Sequence, residues 1–223
     1  MKVNREILVR GALKLLNEVG LEQLTLRRLG IELKVQAAAM YWHFKSKEEL
    51  IDEMATVVLA GGAANLVPVR KQSEWKAWVL AFGEGLRKTL LRYRDGARMV
   101  AGTRLTNTEF MKTAEVAGAQ LVEAGFTLRQ TVVLLSTIYN YTLSFVMEEQ
   151  AVFPMPGERS ERYDIRKRDE QLSEEALPLM RQAGPILFDR FERRYKEGLD
   201  LILQGAAGQL RSRKLSARAK PRP

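Results

Sequence analysis

Apolar and polar positions along this chain recur with a helical rather than an extended period almost from end to end. In NREILVRGALKLLNEVG, residues Leu8, Ala12, Leu15, Leu16 and Val19 fall at i, i+4, i+7, i+8 and i+11, which puts them on one helical face. Asn4 stands where a cap is wanted, and Gly20 where a helix can end. LEQLTLRRLGIELKV follows, with Thr25 as N-cap and Leu26, Leu29 and Leu33 at i, i+3 and i+7, so the pattern predicts a second, shorter helix. Lys34-Val35 leaves room only for a tight turn, after which Ala37 to His43 favours helix by propensity. Ser46 and Glu49 have the S-x-x-E spacing of a capping box and open a fourth helix, with Leu50, Ile51, Met54, Val57 and Val58 on one face. Gly61-Gly62 and Pro68 then interrupt the pattern.

From Ser73 onward the periodicity is again helical, through SEWKAWVLAFGEGLRKTLLRYRD, TNTEFMKTAEVAGAQLVEAG and TLRQTVVLLSTIYNYTLSFVMEEQ. The last of these is apolar almost all round, as a central or interface helix would be. Residues 153–178 are rich in charge, proline and glycine and read as a long mobile loop. A final helix is expected over residues 185–203, carrying Ile186, Leu187, Phe188, Phe191, Tyr195, Leu199 and Ile202. The chain shows no internal repeat and no convincing strand pattern. The resulting expectation is an all-α protein, with a helix-turn-helix domain at 1–45, a connector helix at 46–62, a larger helical bundle at 63–207 and a basic disordered tail at 208–223.

Composition narrows the chemistry. The chain has 223 residues, 46% apolar and 28% charged, and its apolar runs fall short of the ~20 residues of a membrane span. MKVNREILVRG lacks the uninterrupted apolar stretch of a secretory signal, so a cytoplasmic protein that does not engage a membrane is expected. With no cysteine and one histidine, disulfides, thiolate catalysis, Cys-ligated metals and most Ser–His arrangements are excluded. A carboxylate pair survives that exclusion. Glu148 and Glu149, however, are adjacent on a helix and point about 100° apart, which is poor geometry for acid–base work. No enzyme, metal or cofactor is therefore expected.

The net charge of +9 invites a polyanionic partner, but RSRKLSARAKPRP at the C-terminus holds six basic and no acidic residues, which leaves +3 (9 − 6) for the remainder. Residues 1–50 hold nine Lys/Arg and six Asp/Glu, again +3 (9 − 6). The tail reads as a solvated end rather than as a nucleic-acid arm. The stronger signal is geometric: two short helices meeting at a turn, with a third packed across them, is the arrangement that places a helix in the major groove. On that arrangement QAAAMYWHF directs Met40, Trp42 and Phe44 inward and Ala37, Ala38, Tyr41 and His43 outward. Alanine methyls suit thymine methyls, while Tyr41 and His43 suit phosphate or base edges. Lys47 opens the next helix, and Arg27 and Arg28 open the helix before the turn. The candidate DNA-facing set is Thr25, Arg27, Arg28, Gln36, Ala37, Ala38, Ala39, Tyr41, His43 and Lys47. Taken alone, AAAMYWHF would read as helix formers and core aromatics; the surrounding geometry favours DNA.

ALKLLNEVGLEQLTLRRLGIELKV and MYWHFKSKEELIDEM make residues 3–58 resemble the N-terminal domain of TetR-family regulators, the Y-W-H followed by K-x-K being specific. LLRYRDGARMVAGTRL and LVEAGFTLRQTVVLLSTIYNYTLSFVMEEQ are similar to the ligand-binding domain of that family's tetracycline-responsive members, so that about four-fifths of the chain is covered. The resemblance implies a homodimer that blocks transcription at a palindromic double-stranded DNA operator until a small-molecule effector binds the larger domain. It also shows departures. Glycine is common where Lys34 stands, and Gln-Pro-Thr is common where Ala37-Ala38-Ala39 stands, so the tetracycline operator is not the expected site. The family's H-L-G-T-R-P, with its magnesium-binding histidine, is matched by V-A-G-T-R-L, with Val100 in that place. Other drug contacts map to Ala63, Phe82 and Leu86, whereas Thr103, Arg104, Asn140 and Glu148 stay polar; Leu105 and Val116 complete the candidate ligand-binding set. The expected effector is thus not Mg²⁺–tetracycline but a larger, more apolar molecule, oriented by Arg104 and Asn140. Ordinary core packing is an equal reading of Phe82, Leu86 and Val100. Dimerisation is expected through the helices at 127–150 and 185–203.

Overall fold

The computed structural model describes residues 4–63 and 75–218, apart from the side chains of Ala37, Ala63 and residues 212–218. Helix α1, Arg5–Gln23, starts where the Asn4 side chain accepts from the Ile7 amide, and its regular part stops at Gly20, whose φ of 77° turns the chain. Leu8, Ala12, Leu15 and Leu16 are buried on the expected face. Helix α2, Leu26–Glu32, is capped by Thr25, whose hydroxyl accepts from the Arg28 amide. Lys34 takes the left-handed turn position at φ 55°. The Val35 amide then donates to the Gly30 carbonyl, drawing the backbones so close that a Cβ on Gly30 would lie 3.1 Å from the Val35 oxygen. Helix α3, Ala37–His43, crosses α2 there.

Helix α4, Lys47–Ala63, opens as anticipated at Ser46, whose hydroxyl accepts from the Glu49 amide at 3.2 Å. The return bond differs from the expected box: the Glu49 carboxylate takes the Lys45 amide at 2.9 Å rather than that of Ser46. Beyond it lie α5, Trp75–Leu90, α6, Gly96–Val100, α7, Glu109–Glu123, and α8, Leu128–Val152. Thr127 and Gln130 give α8 a complete reciprocal capping box.

The C-terminal third departs from expectation. Residues 153–177 are a folded strap: Met155 and Glu158 form an antiparallel bridge, Glu161–Tyr163 make one 3-10 turn, and α9 spans Ile165–Glu170. Arginines tie it to the residues that follow. Arg159 pairs with Asp189 at 2.6 Å, Arg168 donates to the Met180 carbonyl and Arg181 to the Leu172 carbonyl. Pro185 does not start a helix. It lies inside α10, Pro178–Phe188, where Pro178 occupies the first turn in which a missing N–H costs nothing. Helix α11, Phe191–Arg218, runs on past residue 208 because Ala207 and Leu210 are buried against the bundle; the disorder expected from 208 onward is corrected to helix through Arg218. Residues 219–223 of that expected tail lie outside the described residues.

Two apolar clusters hold the molecule together. The first runs from Leu8, Leu16, Leu29, Met40 and Phe44 through Leu50 and Met54 to Leu86, Leu90, Met99 and Val146. Helices α1 to α4 therefore share one core with α5, α6 and α8. The second gathers Trp78, Phe82, Leu121, Phe126, Ile138, Tyr195 and Leu199. Between them Arg87 of α5 pairs with Glu149 of α8, with side chains only 12% and 10% exposed.

Candidate nucleic-acid interface and effector cavity

Helix α3 presents its outer face because, among its described side chains, only Met40 and, just past its end, Phe44 are fully buried. Gln36, Ala38 and Tyr41 are exposed, and Ala39 and His43 are half-buried. Arg27 and Arg28 are exposed on α2, Arg28 donating to Gln23 at 2.8 Å. Thr25 is exposed, with its oxygen engaged in the cap. Ala37 belongs to α3, but its side chain lies outside those described.

Two expected roles change. Trp42 is not a core residue: it is 81% exposed, with its ring edge-on to His43 at 4.7 Å. On a seven-residue helix, inward positions separated by two residues cannot all share a face, and Met40 and Phe44, four apart, take it. Lys47 does not project toward a phosphate; its ammonium donates to the Leu21 carbonyl at 2.6 Å and ties α4 to the end of α1. Lys45, two residues earlier, is exposed.

Behind this head, a cavity of about 220 Å³ opens between α5, α7 and α8. Trp78 and Phe82 form one wall, Phe110, Thr113, Ala114 and Ala117 a second, and Leu135, Ser136 and Tyr139 the third. Among the described residues, no Asp, Glu, Lys or Arg lines it. Burial pushes the Tyr139 phenol up from its ordinary pKa, so it faces the cavity as a neutral hydroxyl. Of the expected ligand-binding residues, Phe82 is the one brought to this cavity. Leu86 and Val100 are buried in the first core cluster, and Leu105 packs against it. Thr103 donates to the Val100 carbonyl. The Arg104 side chain is 91% exposed and faces Asp52, while Asn140, Glu148 and Val116 are exposed at the surface. Neither Arg104 nor Asn140 is placed to orient a molecule in the cavity. The Ala63 side chain lies outside those described. The missed residues carried a signal: Phe110, Thr113, Ala114 and Ala117 recur at i, i+3, i+4 and i+7, a stripe with too little bulk to fill its own groove.

Residues 8–54 match the family of bacterial regulatory proteins named for tetR, and residues 67–210 match the tetracyclin repressor-like C-terminal domain. The chain belongs to the TetR family. It is 37% identical over 206 residues to the class A tetracycline repressor from transposon 1721 of Escherichia coli, covering 92% of this chain and 91% of that protein. Its fold is similar to that of a possible TetR-family regulator from Streptomyces coelicolor A3(2), with a TM-score of 0.81 at 32% identity, over 92% of this chain and 99% of that one. A TetR variant from Acinetobacter baumannii AYE, solved in complex with minocycline, superposes with a TM-score of 0.72 at 31% identity, over 94% of this chain and 99% of that one. The protein is accordingly a ligand-responsive DNA-binding transcriptional repressor of this family, and among its described residues no helix is long and apolar enough to cross a membrane.

In this TetR-family protein, hydrogen bonds among the described residues join head and body at two places besides the shared core. At the end of α1, the Leu21 amide donates to Asp95 at 2.8 Å, and Arg94 bonds Asn17 through both its amide and its guanidinium. On α4, Asp52 accepts the Arg104 amide at 2.9 Å, and the buried Thr56 hydroxyl accepts the Thr106 amide at 2.9 Å. The 101–108 loop thus hangs on the connector helix at one end and leads into Phe110, a cavity wall, at the other.

Proposed function

We propose that this repressor binds a near-palindromic operator as a homodimer and is released by a compact, uncharged aromatic molecule held between α5, α7 and α8. The carrying observation is the cavity: among the described residues, four aromatic rings, three hydroxyl-bearing side chains and no charged group line about 220 Å³. That volume lies below the roughly 300–1,000 Å³ of sites for drug-sized ligands, so the effector is smaller than a tetracycline-like molecule, which revises the expected size downward. A carboxylate or a bound cation would be desolvated there without a partner. Val100, buried in the first core cluster, stands where the family's pattern has a magnesium-binding histidine, and the described residues hold no cluster of three metal-ligating side chains. Mg²⁺–tetracycline does not fit.

The protein acts through binding alone, with no chemical step. Its operator face comprises Arg27, Arg28, Gln36, Ala38, Tyr41, Trp42, His43 and Lys45, two copies of which read half-sites about 34–36 Å apart. The dimer uses α8 and α10, which leave Leu128, Val132, Val133, Met147, Leu179, Met180 and Ile186 exposed, together with Leu201 of α11. Effector binding releases DNA only by favouring a conformer whose two heads no longer fit adjacent grooves. Titration of the protein with neutral two- and three-ring phenols, followed by tryptophan fluorescence and operator gel shift, tests this. Micromolar binding with loss of the shifted complex is expected. Comparable affinity for Mg²⁺–tetracycline, or binding that leaves operator affinity unchanged, would overturn it.

A further inference from the structure

We infer that Arg5 is a positioning residue for DNA reading: it holds the C-terminal end of α3 at the angle that operator recognition requires. This rests on the reading of α3 as the DNA-reading helix. The problem it solves is local. Helix α3 has seven residues, too few to be stable alone, and its N-cap residue Gln36 makes no side-chain capping bond. Among the described residues one side chain hydrogen-bonds the backbone of 37–43 from outside the helix: Arg5, whose Nη1 donates to the His43 carbonyl at 2.6 Å.

The guanidinium is a junction of three helices. Nη1 also meets Glu49 at 3.1 Å and Nη2 meets Glu53 at 3.4 Å, both on α4, while the guanidinium carbon sits 4.3 Å from the centre of the Phe44 ring, which is itself wholly buried. The Glu49 carboxyl is held below its usual pKa first by the Lys45 amide and then by Arg5. Arg5 is the first residue of α1, where the helix dipole disfavours a cation, so local helix energetics do not account for it. At the far end of α3 the same charge meets the negative end of that helix's dipole. Two adjacent carboxylates and an occupied ring face make this arginine a poor phosphate ligand. Only a planar five-donor fork can serve a carbonyl and two carboxylates together while stacking on a ring.

Positioning and phosphate contact leave different signatures. Affinity for the operator and for random-sequence duplex is measured against salt for the full-length protein, Arg5→Ala and Arg5→Lys, together with thermal unfolding. For Arg5→Ala, operator affinity is expected to fall at least about tenfold, while random-duplex affinity and the slope of log K against log salt stay as in the parent. Arg5→Lys keeps the charge but not the fork, and is expected to recover only part of the loss while unfolding at the parental temperature, which separates this role from a merely structural one. Equal losses on operator and random duplex with the slope reduced by about one would make Arg5 a phosphate contact and overturn the proposal. So would unchanged operator affinity in Arg5→Ala, or full recovery by lysine. If the parent itself showed no preference for any duplex sequence, the DNA-reading assignment of α3 would fail first.

Discussion

Trp42 shows how much turns on one side chain. It lies on the face of α3 away from Met40, meets the His43 ring at a T-shaped angle, and exposes 81% of its surface on the head of a DNA-binding protein. An indole there is costly unless it meets a partner, and duplex DNA offers both apolar methyls and phosphate acceptors. Trp42→Ala is therefore expected to weaken operator binding by about 1–3 kcal/mol with thermal stability unchanged. Gel-shift titration beside a melting curve checks this, and a lowered melting temperature with intact affinity would return Trp42 to a packing role. Lys47 teaches the opposite lesson. Sequence places it beside a helix N-terminus, as a phosphate ligand would be, yet its ammonium is committed to the Leu21 carbonyl.

Among the elements, the turn from α2 to α3 and the connector α4 matter most. Lys34 occupies a left-handed backbone position that costs a non-glycine residue roughly 1 kcal/mol. Lys34→Gly is expected to raise stability to denaturant by at most about that amount, partly offset by glycine's greater unfolded-state entropy. A fall in stability would show that Lys34 makes a compensating contact. On α4, the Thr56 hydroxyl is wholly buried and joins the Asp52 carbonyl to the Thr106 amide. Thr56→Val preserves the volume and leaves the Thr106 amide unpaired, uncoupling the 101–108 loop from the connector. Its expected phenotype is selective: effector and operator each bind as in the parent, but the effector no longer releases DNA, as simultaneous fluorescence and gel-shift titrations would show. Release at the parental effector concentration would place the coupling elsewhere, with the Asp95–Leu21 junction next in line.

For the whole molecule, one core runs from the DNA-reading head into the body, so the head has no independent apolar interior. The exposed leucine, valine and methionine side chains of α8 and α10 then have no use within one chain. Val132→Asp, placed on that face, is expected to yield monomers in analytical ultracentrifugation and to abolish cooperative operator binding, while each chain stays helical by circular dichroism. A dimer that persists would move the interface off α8.

Much of this was legible in order along the chain. Helical periodicity, the caps at Asn4, Thr25 and Ser46, and the turn at Lys34 depend on neighbours within a few residues, so the sequence alone determined that the protein is helical and that two short helices meet at a turn near its start. What the tertiary structure decided was whatever depends on residues far apart. The cavity is assembled from three helices whose apolar stripes look like ordinary core until their spacing leaves a void. The strap at 153–177 is held by arginines reaching carbonyls many residues away, and Arg5 meets His43 across 38 positions. Periodicity reports the face a side chain occupies on its own helix; which distant group faces it is settled only when the helices pack.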